Sequence, residues 1–155
     1  MFRVGVGQDS HRLKAGRSLI LGGVKVSNKY YLEADSDGDV IIHSLCNALS
    51  TAIGGGSLDT WAGKMYKEGA TDSREFLKVI INKVKTEGYK INNAAIMVEA
   101  GRPNLEVFRG KMQASLAKLL EVEPDKVGIA FTSGENLTAF GRGEGIQAFS
   151  IVSLI

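Results

Sequence analysis

Only two histidines occur in the 155 residues, His11 and His43, and each stands near an acid. In GQDSH (7–11) Asp9 precedes His11 by two positions, directly after the strand-like FRVGVG (2–7). On an extended chain residues i and i+2 share a face, so this carboxylate and imidazole lie side by side where the strand ends. His43 follows Asp39 by four positions, one turn into the apolar run VIIHSLCNALSTAI (40–53). Two imidazoles and a carboxylate make a sound zinc set, and three protein ligands leave a fourth tetrahedral position open for catalysis. Spacing alone favours the plainer reading, a loop histidine at 11 and a satisfied core histidine at 43.

Three neighbouring stretches bear on that choice. SDGDVIIH (36–43) puts two acids and a glycine ahead of the helix. A plain loop with an N-cap accounts for Asp39 there but leaves His43 unexplained. FTSGE (131–135) sets the hydroxyls of Thr132 and Ser133 and the carboxylate of Glu135 at the end of a strand, where ligands gather in such sheets. FGRGEGI (140–146) packs three glycines around Arg142 and Glu144. Glycines let backbone come close, and arginine forks onto phosphate or carboxylate. A tight turn with a surface ion pair is the plainer reading of that stretch.

The elements that must position these residues follow from periodicity. SLILGGVKV (18–26) reads as a second strand, bent at Gly22–Gly23. Asp39 is placed to N-cap a buried helix over 40–53, which GGGS (54–57) stops. Residues 57–71 show no clear period and are expected to form a mobile loop around Trp61. DSRE (72–75) has capping-box spacing and opens a helix with Phe76, Leu77, Ile80, Ile81 and Val84 on one stripe, ending at Gly88. INNAAIMVEA (91–100) is a strand. Beyond Pro103, Leu105, Phe108, Met112, Leu116 and Leu119 recur at the spacing of an amphipathic helix. KVGIAFTS (126–133) and IQAFSIVSLI (146–155) complete the strands. The last is apolar on both faces, as if helices cover one side and a neighbouring subunit the other. Alternating strands and helices predict one two-layer domain over 1–155, α/β or α+β.

Composition narrows the class. At 44% hydrophobic and 23% charged, with 2 prolines against 19 glycines, the chain is neither disordered nor collagen-like. A net charge of +2 without a Lys/Arg run argues against nucleic acid as a partner. The single Cys46 fits a reducing cytoplasm. No apolar stretch approaches the roughly 20 residues that span a bilayer, so no membrane partner is expected.

GQDSHRL, SDGDVIIHSLCNAL, TDSRE and GRGEGI stand in the order and at the spacing found in the 2-C-methyl-D-erythritol 2,4-cyclodiphosphate synthase family, which this chain resembles from residue 1 to 155. The resemblance implies an α+β fold, a mixed sheet with helices on one face and the other face packed in a homotrimer. It implies that 4-diphosphocytidyl-2-C-methyl-D-erythritol 2-phosphate is cyclised with loss of CMP. It implies zinc on Asp9, His11 and His43, and Mg²⁺ or Mn²⁺ bridging the substrate phosphates with Glu135 as ligand. Thr132 and Ser133 match phosphate-binding positions, and Ala100 to Leu105, with Pro103 and Asn104, match the segment that holds cytidine. Asp35 and Ser133 stand at catalytic positions, with Asp9, His11, Asp35, Ser36, Ser57, Leu58, Asp59 and Arg142 also facing substrate. Arg142 and Glu144 match the lining of a central cavity thought to accept an isoprenoid diphosphate.

The chain departs from the family pattern in places. Asp35 replaces the usual histidine before SDGD, and a carboxylate repels phosphates unless protonated or screened. GDIG becomes GSLD (56–59), moving the acid to Asp59; FPDTDP becomes AGKMYK (62–67), which adds Lys64 and Lys67. Asn104 stands for the usual lysine, and Ala139 with Phe140 for the usual phenylalanine. Two other functions stay open, the first supported only by Asp35 and the altered loop, the second using the same zinc ligands with Asp35 as candidate general base. One is a trimeric isoprenoid- or nucleotide-diphosphate-binding protein with reduced turnover, and the other a zinc hydrolase of a nucleotide diphosphate.

Overall fold

A computed structural model describes residues 1–155. In chain order its elements are β1 (Arg3–Ala15), β2 (Leu19–Leu21), β3 (Val24–Ser27), β4 (Tyr30–Leu32), α1 (Val40–Ala52), α2 (Leu58–Lys67), α3 (Ser73–Thr86), β5 (Ile91–Glu99), α4 (Arg109–Leu120), β6 (Val127–Thr132) and β7 (Gly145–Leu154). Five strands form a mixed sheet in the order β4-β1-β7-β5-β6, with β5 and β6 parallel and the other pairs antiparallel. The 18–26 segment turns at Gly22–Gly23 into the separate β2–β3 hairpin. This is the expected two-layer α+β architecture.

β1 runs well past residue 7. Its ladder with β7 extends from Arg3–Leu154 to Arg12–Gly145, so Asp9 and His11 lie inside the strand, opposite Ala148 and Ile146. The polar GQDSH stretch has the composition of a strand end, but pairing with the apolar β7 keeps it extended, an override of propensity by tertiary context.

α1 lies across β1 because β1 carries glycines where they touch. A Cβ on Gly5 would sit 1.9 Å from the carbonyl oxygen of Ala48, and one on Gly7 2.1 Å from that of Ser44. No side chain fits there, and this close approach sets the height of His43 above the sheet. Gly7→Ala is therefore expected to lower stability by ~3 kcal/mol or more, since overpacking against backbone has no flexible atom to yield; chemical denaturation measures it. A loss under about 0.5 kcal/mol would contradict the close approach.

Both helix starts match the expected caps. Asp39 accepts a hydrogen bond from Ile42 N–H at 3.1 Å, and also from Gly22 N–H at 2.9 Å and Gly23 N–H at 2.7 Å, tying the hairpin turn to α1. Complete burial pushes this carboxyl up to about 6, against the pull of those three donors. Asp72 caps α3 by accepting from Arg74 N–H and pairs with the Arg74 guanidinium, which holds the acid below its ordinary value. That contact stands in place of a reciprocal Glu75 bond. Phe76, Leu77, Ile80, Ile81 and Val84 all enter the core.

The expected mobile loop at 57–71 is instead largely α2. Leu58 and Ala62 are buried, and Trp61 and Met65 pack partly against the core. This stripe spans barely two turns and follows three glycines, so its period is too short to stand out. The strand β4 is likewise an addition to the expected elements; three residues suffice to pair with the tail of β1.

The sheet face away from the helices is apolar and open. Val4, Val6, Met97, Phe149 and Ile151 are 43–56% exposed there, because strand alternation sends them opposite the buried set. No helix is long and apolar enough to cross a membrane.

Candidate metal centre and substrate clefts

Strand alternation puts Asp9 and His11 on the helix-covered face of β1, and α1 brings His43 over them. Asp9 Oδ2 lies 3.3 Å from His11 Nε2 and 3.2 Å from His43 Nδ1, and the three ligand atoms lie within 4.8 Å of one another. Two ligands bonded to one tetrahedral ion at about 2.0–2.1 Å stand roughly 3.3–3.4 Å apart. Asp9 Oδ2 is buried and has no hydrogen-bond partner, a costly state for a carboxylate oxygen. A divalent cation resolves both features, so the donor set fits a metal. His43 is only 4% exposed. Phe76 packs edge-on against its ring.

Without an ion these groups perturb one another. The Asp9 carboxylate 3.3 Å from Nε2 raises His11 above its ordinary value of 6.5, with burial opposing. Burial pushes Asp9 up, but contacts with His11 and His43 outweigh it, leaving the acid below 3.8. The raised His11 value contributes stability fully present below pH 6.5 and lost as pH rises through the folded value. The lowered Asp9 value contributes stability present above pH 3.8 and lost as pH falls through its folded value. Proton and cation thus compete for the same nitrogen. The rise in melting temperature on adding Zn²⁺ is expected to be larger at about pH 8 than at about pH 5.5. An equal or reversed gain in differential scanning calorimetry would count against the ligand set.

The triad opens into a cavity of about 400 Å³ that also takes Asp35, Ser36, Ser57, Leu58 and Asp59. Its wall includes Asn47 and Tyr66, which sequence reasoning missed. Asn47 accepts from Leu58 N–H at 2.7 Å and donates to the carbonyl of Gln8 at 3.0 Å, fixing the start of α2 against β1. The Tyr66 ring lies 4.7 Å from that of Phe76, and burial pushes its hydroxyl up to about 12.

Ala100, Pro103, Asn104, Leu105, Thr132 and Ser133 line a second cleft of about 290 Å³, with Arg102. Glu135 follows on the turn Gly134–Asn136 at φ 49°, where its N–H donates to Ser133 Oγ at 3.4 Å. A non-glycine residue in this left-handed region marks backbone held under constraint. Arg142 and Glu144 pair with each other at 2.8 Å on the surface. The two clefts do not meet within the chain. Ser10 and Thr132 are linked across β7 and β5 through Gln147 and Glu99, three strand spacings or roughly 14 Å apart.

Comparisons with known proteins show the family and the fold. The YgbB family matches residues 2–155. The 2-C-methyl-D-erythritol 2,4-cyclodiphosphate synthase of Chlamydia trachomatis serovar L2b (strain UCH-1/proctitis) is 38% identical, over 100% of this chain and 89% of its own length. A solved synthase structure described as the CDP-bound form is 32% identical with a TM-score of 0.91, over 99% of this chain and 100% of that one. The CDP complex of IspF from Plasmodium falciparum is 27% identical with a TM-score of 0.88, over 99% of this chain and 96% of that one.

Proposed function

Because this chain belongs to the YgbB family of 2-C-methyl-D-erythritol 2,4-cyclodiphosphate synthases, we propose how its own residues carry that family's reaction. The enzyme is a phosphorus–oxygen lyase of isoprenoid biosynthesis. It converts 4-diphosphocytidyl-2-C-methyl-D-erythritol 2-phosphate into the 2,4-cyclodiphosphate. An oxygen of the 2-phosphate attacks the β-phosphorus, a new P–O bond forms, and the bond to CMP breaks. Both partners already sit on one molecule, so the protein's task is to fold the substrate and neutralise its charge.

Asp9, His11 and His43 would hold a zinc ion, which would supply Lewis-acid chemistry toward the diphosphate. The observation that carries this reading is the buried Asp9 Oδ2 with no hydrogen bond and a ring nitrogen on either side. Asp35, Ser36, Ser57, Leu58 and Asp59 bind the erythritol phosphate end from the same cavity. Ala100, Pro103, Asn104 and Leu105 hold cytidine, while Thr132 and Ser133 hydrogen-bond the phosphates. Ser133 and Asp35 are the residues nearest the reacting phosphorus, and Glu135 is the protein ligand of a second cation, Mg²⁺ or Mn²⁺. Asn104 removes a cation from the cytidine segment, and Arg102 in the same cleft restores one.

A homotrimer completes the site. The two clefts are separate within one chain, and the apolar open face supplies a surface that a second copy can bury. The metal cavity of one subunit then faces the cytidine cleft of the next. Arg142 and Glu144 line the central cavity between subunits, where an isoprenoid diphosphate binds.

Incubation with the cytidine substrate, Zn²⁺ and Mg²⁺ tests the reading by its product. Cyclic diphosphate with one equivalent of CMP is expected. A linear diphosphate with CMP would make the protein a hydrolase, and unchanged substrate bound stoichiometrically would make it a binding protein.

A further inference from the structure

His43 presents Nδ1 to Asp9 and the metal position; with Nδ1 as a metal ligand, the ring proton lies on Nε2. Beyond Nε2 lies a chain of contacts that the catalytic reading does not use. Ser73 Oγ stands 2.7 Å from His43 Nε2, and Ser73 in turn donates its hydroxyl proton to Asp37 Oδ1. Asp37 is held in place from three sides. Its Oδ2 accepts from Ser73 N–H at 2.9 Å, its Oδ1 from Asp39 N–H at 3.1 Å, and its own N–H donates to the carbonyl of Thr71 at 2.9 Å. Ser73 is the first residue of α3, so the Asp37 carboxylate also meets the positive end of that helix.

We propose that Ser73 and Asp37 are positioning residues for the metal centre. In this arrangement Ser73 accepts from His43 Nε2–H and passes the negative charge of Asp37 to the ring, fixing its tautomer and strengthening Nδ1 as a ligand. The inference rests on the metal reading above. The directions are forced. If Nδ1 is the ligand atom, Nε2–H can only donate; Ser73 Oγ must then accept, and its own proton has only the Asp37 carboxylate to go to. The arrangement is a carboxylate–histidine–metal unit with a serine interposed. Ser36 Oγ is the other hydroxyl near Nε2, but it lies at 3.4 Å and already accepts from Gly38 N–H.

The test uses the full-length protein, stripped of metal and titrated with Zn²⁺ against a competing chelator. Ser73→Ala is expected to weaken zinc binding by about 10–100-fold, the usual effect of losing an outer-shell partner, and Asp37→Asn by about 10-fold. Ser73→Thr keeps the hydroxyl and should stay within about threefold of the parent. Asp72→Ala uncaps the same helix without touching His43, so it should lower the melting temperature and leave zinc affinity unchanged. In Co²⁺-loaded protein, Ser73→Ala should shift the visible absorption band, a change that mere loosening of α3 does not cause. Zinc affinity within about twofold of the parent in both Ser73→Ala and Asp37→Asn would overturn the proposal. So would an Asp72→Ala loss as large as that of Ser73→Ala. If Ser73→Ala fails to fold, Asp37→Asn set against Ser73→Thr decides the matter. Absence of zinc binding by the parent would instead remove the metal reading itself, and this inference with it.

Discussion

His43→Ala is expected to abolish zinc binding and to lower kcat/KM by about a thousandfold or more, which corresponds to ~4 kcal/mol of transition-state stabilisation. The size follows from what the ligand holds. Asp9 and His11 share one strand, but His43 is the only proposed ligand from α1, so its loss leaves two adjacent donors that cannot surround an ion. The variant also loses a buried ring packed against Phe76, and its metal-free form should be about 1–3 kcal/mol less stable than the metal-free parent. Elemental analysis, steady-state kinetics and denaturation separate the three effects. Full zinc stoichiometry in this variant would end the ligand assignment.

Ile151→Asp is expected to split the proposed trimer into single chains and to remove turnover, while each chain still binds zinc at Asp9, His11 and His43. Ile151 sits on the open face of β7, 43% exposed in the isolated chain, beside Val6 on β1 and Ala95 on β5. A carboxylate buried there without a partner costs several kcal/mol at each of three contacts. Light scattering should fall from three chain masses to one. Activity should fall with it, because the cavity holding Asp9, His11 and His43 and the cleft holding Thr132 and Ser133 do not meet within one chain. Monomers with parental kcat/KM would refute the shared site.

Much of the site is legible in the order of residues because its determinants are local. The two-residue spacing of Asp9 and His11 places them on one face of any strand. The caps at Asp39 and Asp72 and the apolar stripes of α1 and α3 need only their neighbours in sequence. The likeness of four ordered motifs supplies the chemistry and the grouping of Ala100–Leu105 with Thr132 and Ser133. The elements that periodicity misreads are marginal or depend on distant partners. α2 has too few apolar positions to announce itself, and the polar second half of β1 is extended only because β7 pairs with it. His43 belongs to the core, which its one-turn offset from a cap does not reveal.

By itself the sequence of this chain determines a carboxylate and an imidazole side by side on a strand and a second imidazole early on a helix. Tertiary structure alone decides that they meet. Gly5 and Gly7 let α1 descend onto β1, while Ser73 reaches the His43 ring from the start of α3 and Asp37 supports it from the loop before α1. The physical reason is that hydrogen-bonding propensity and periodicity act over a few residues. Distances between ligand atoms instead depend on strand register and on how closely backbones approach, which the packed molecule sets as a whole.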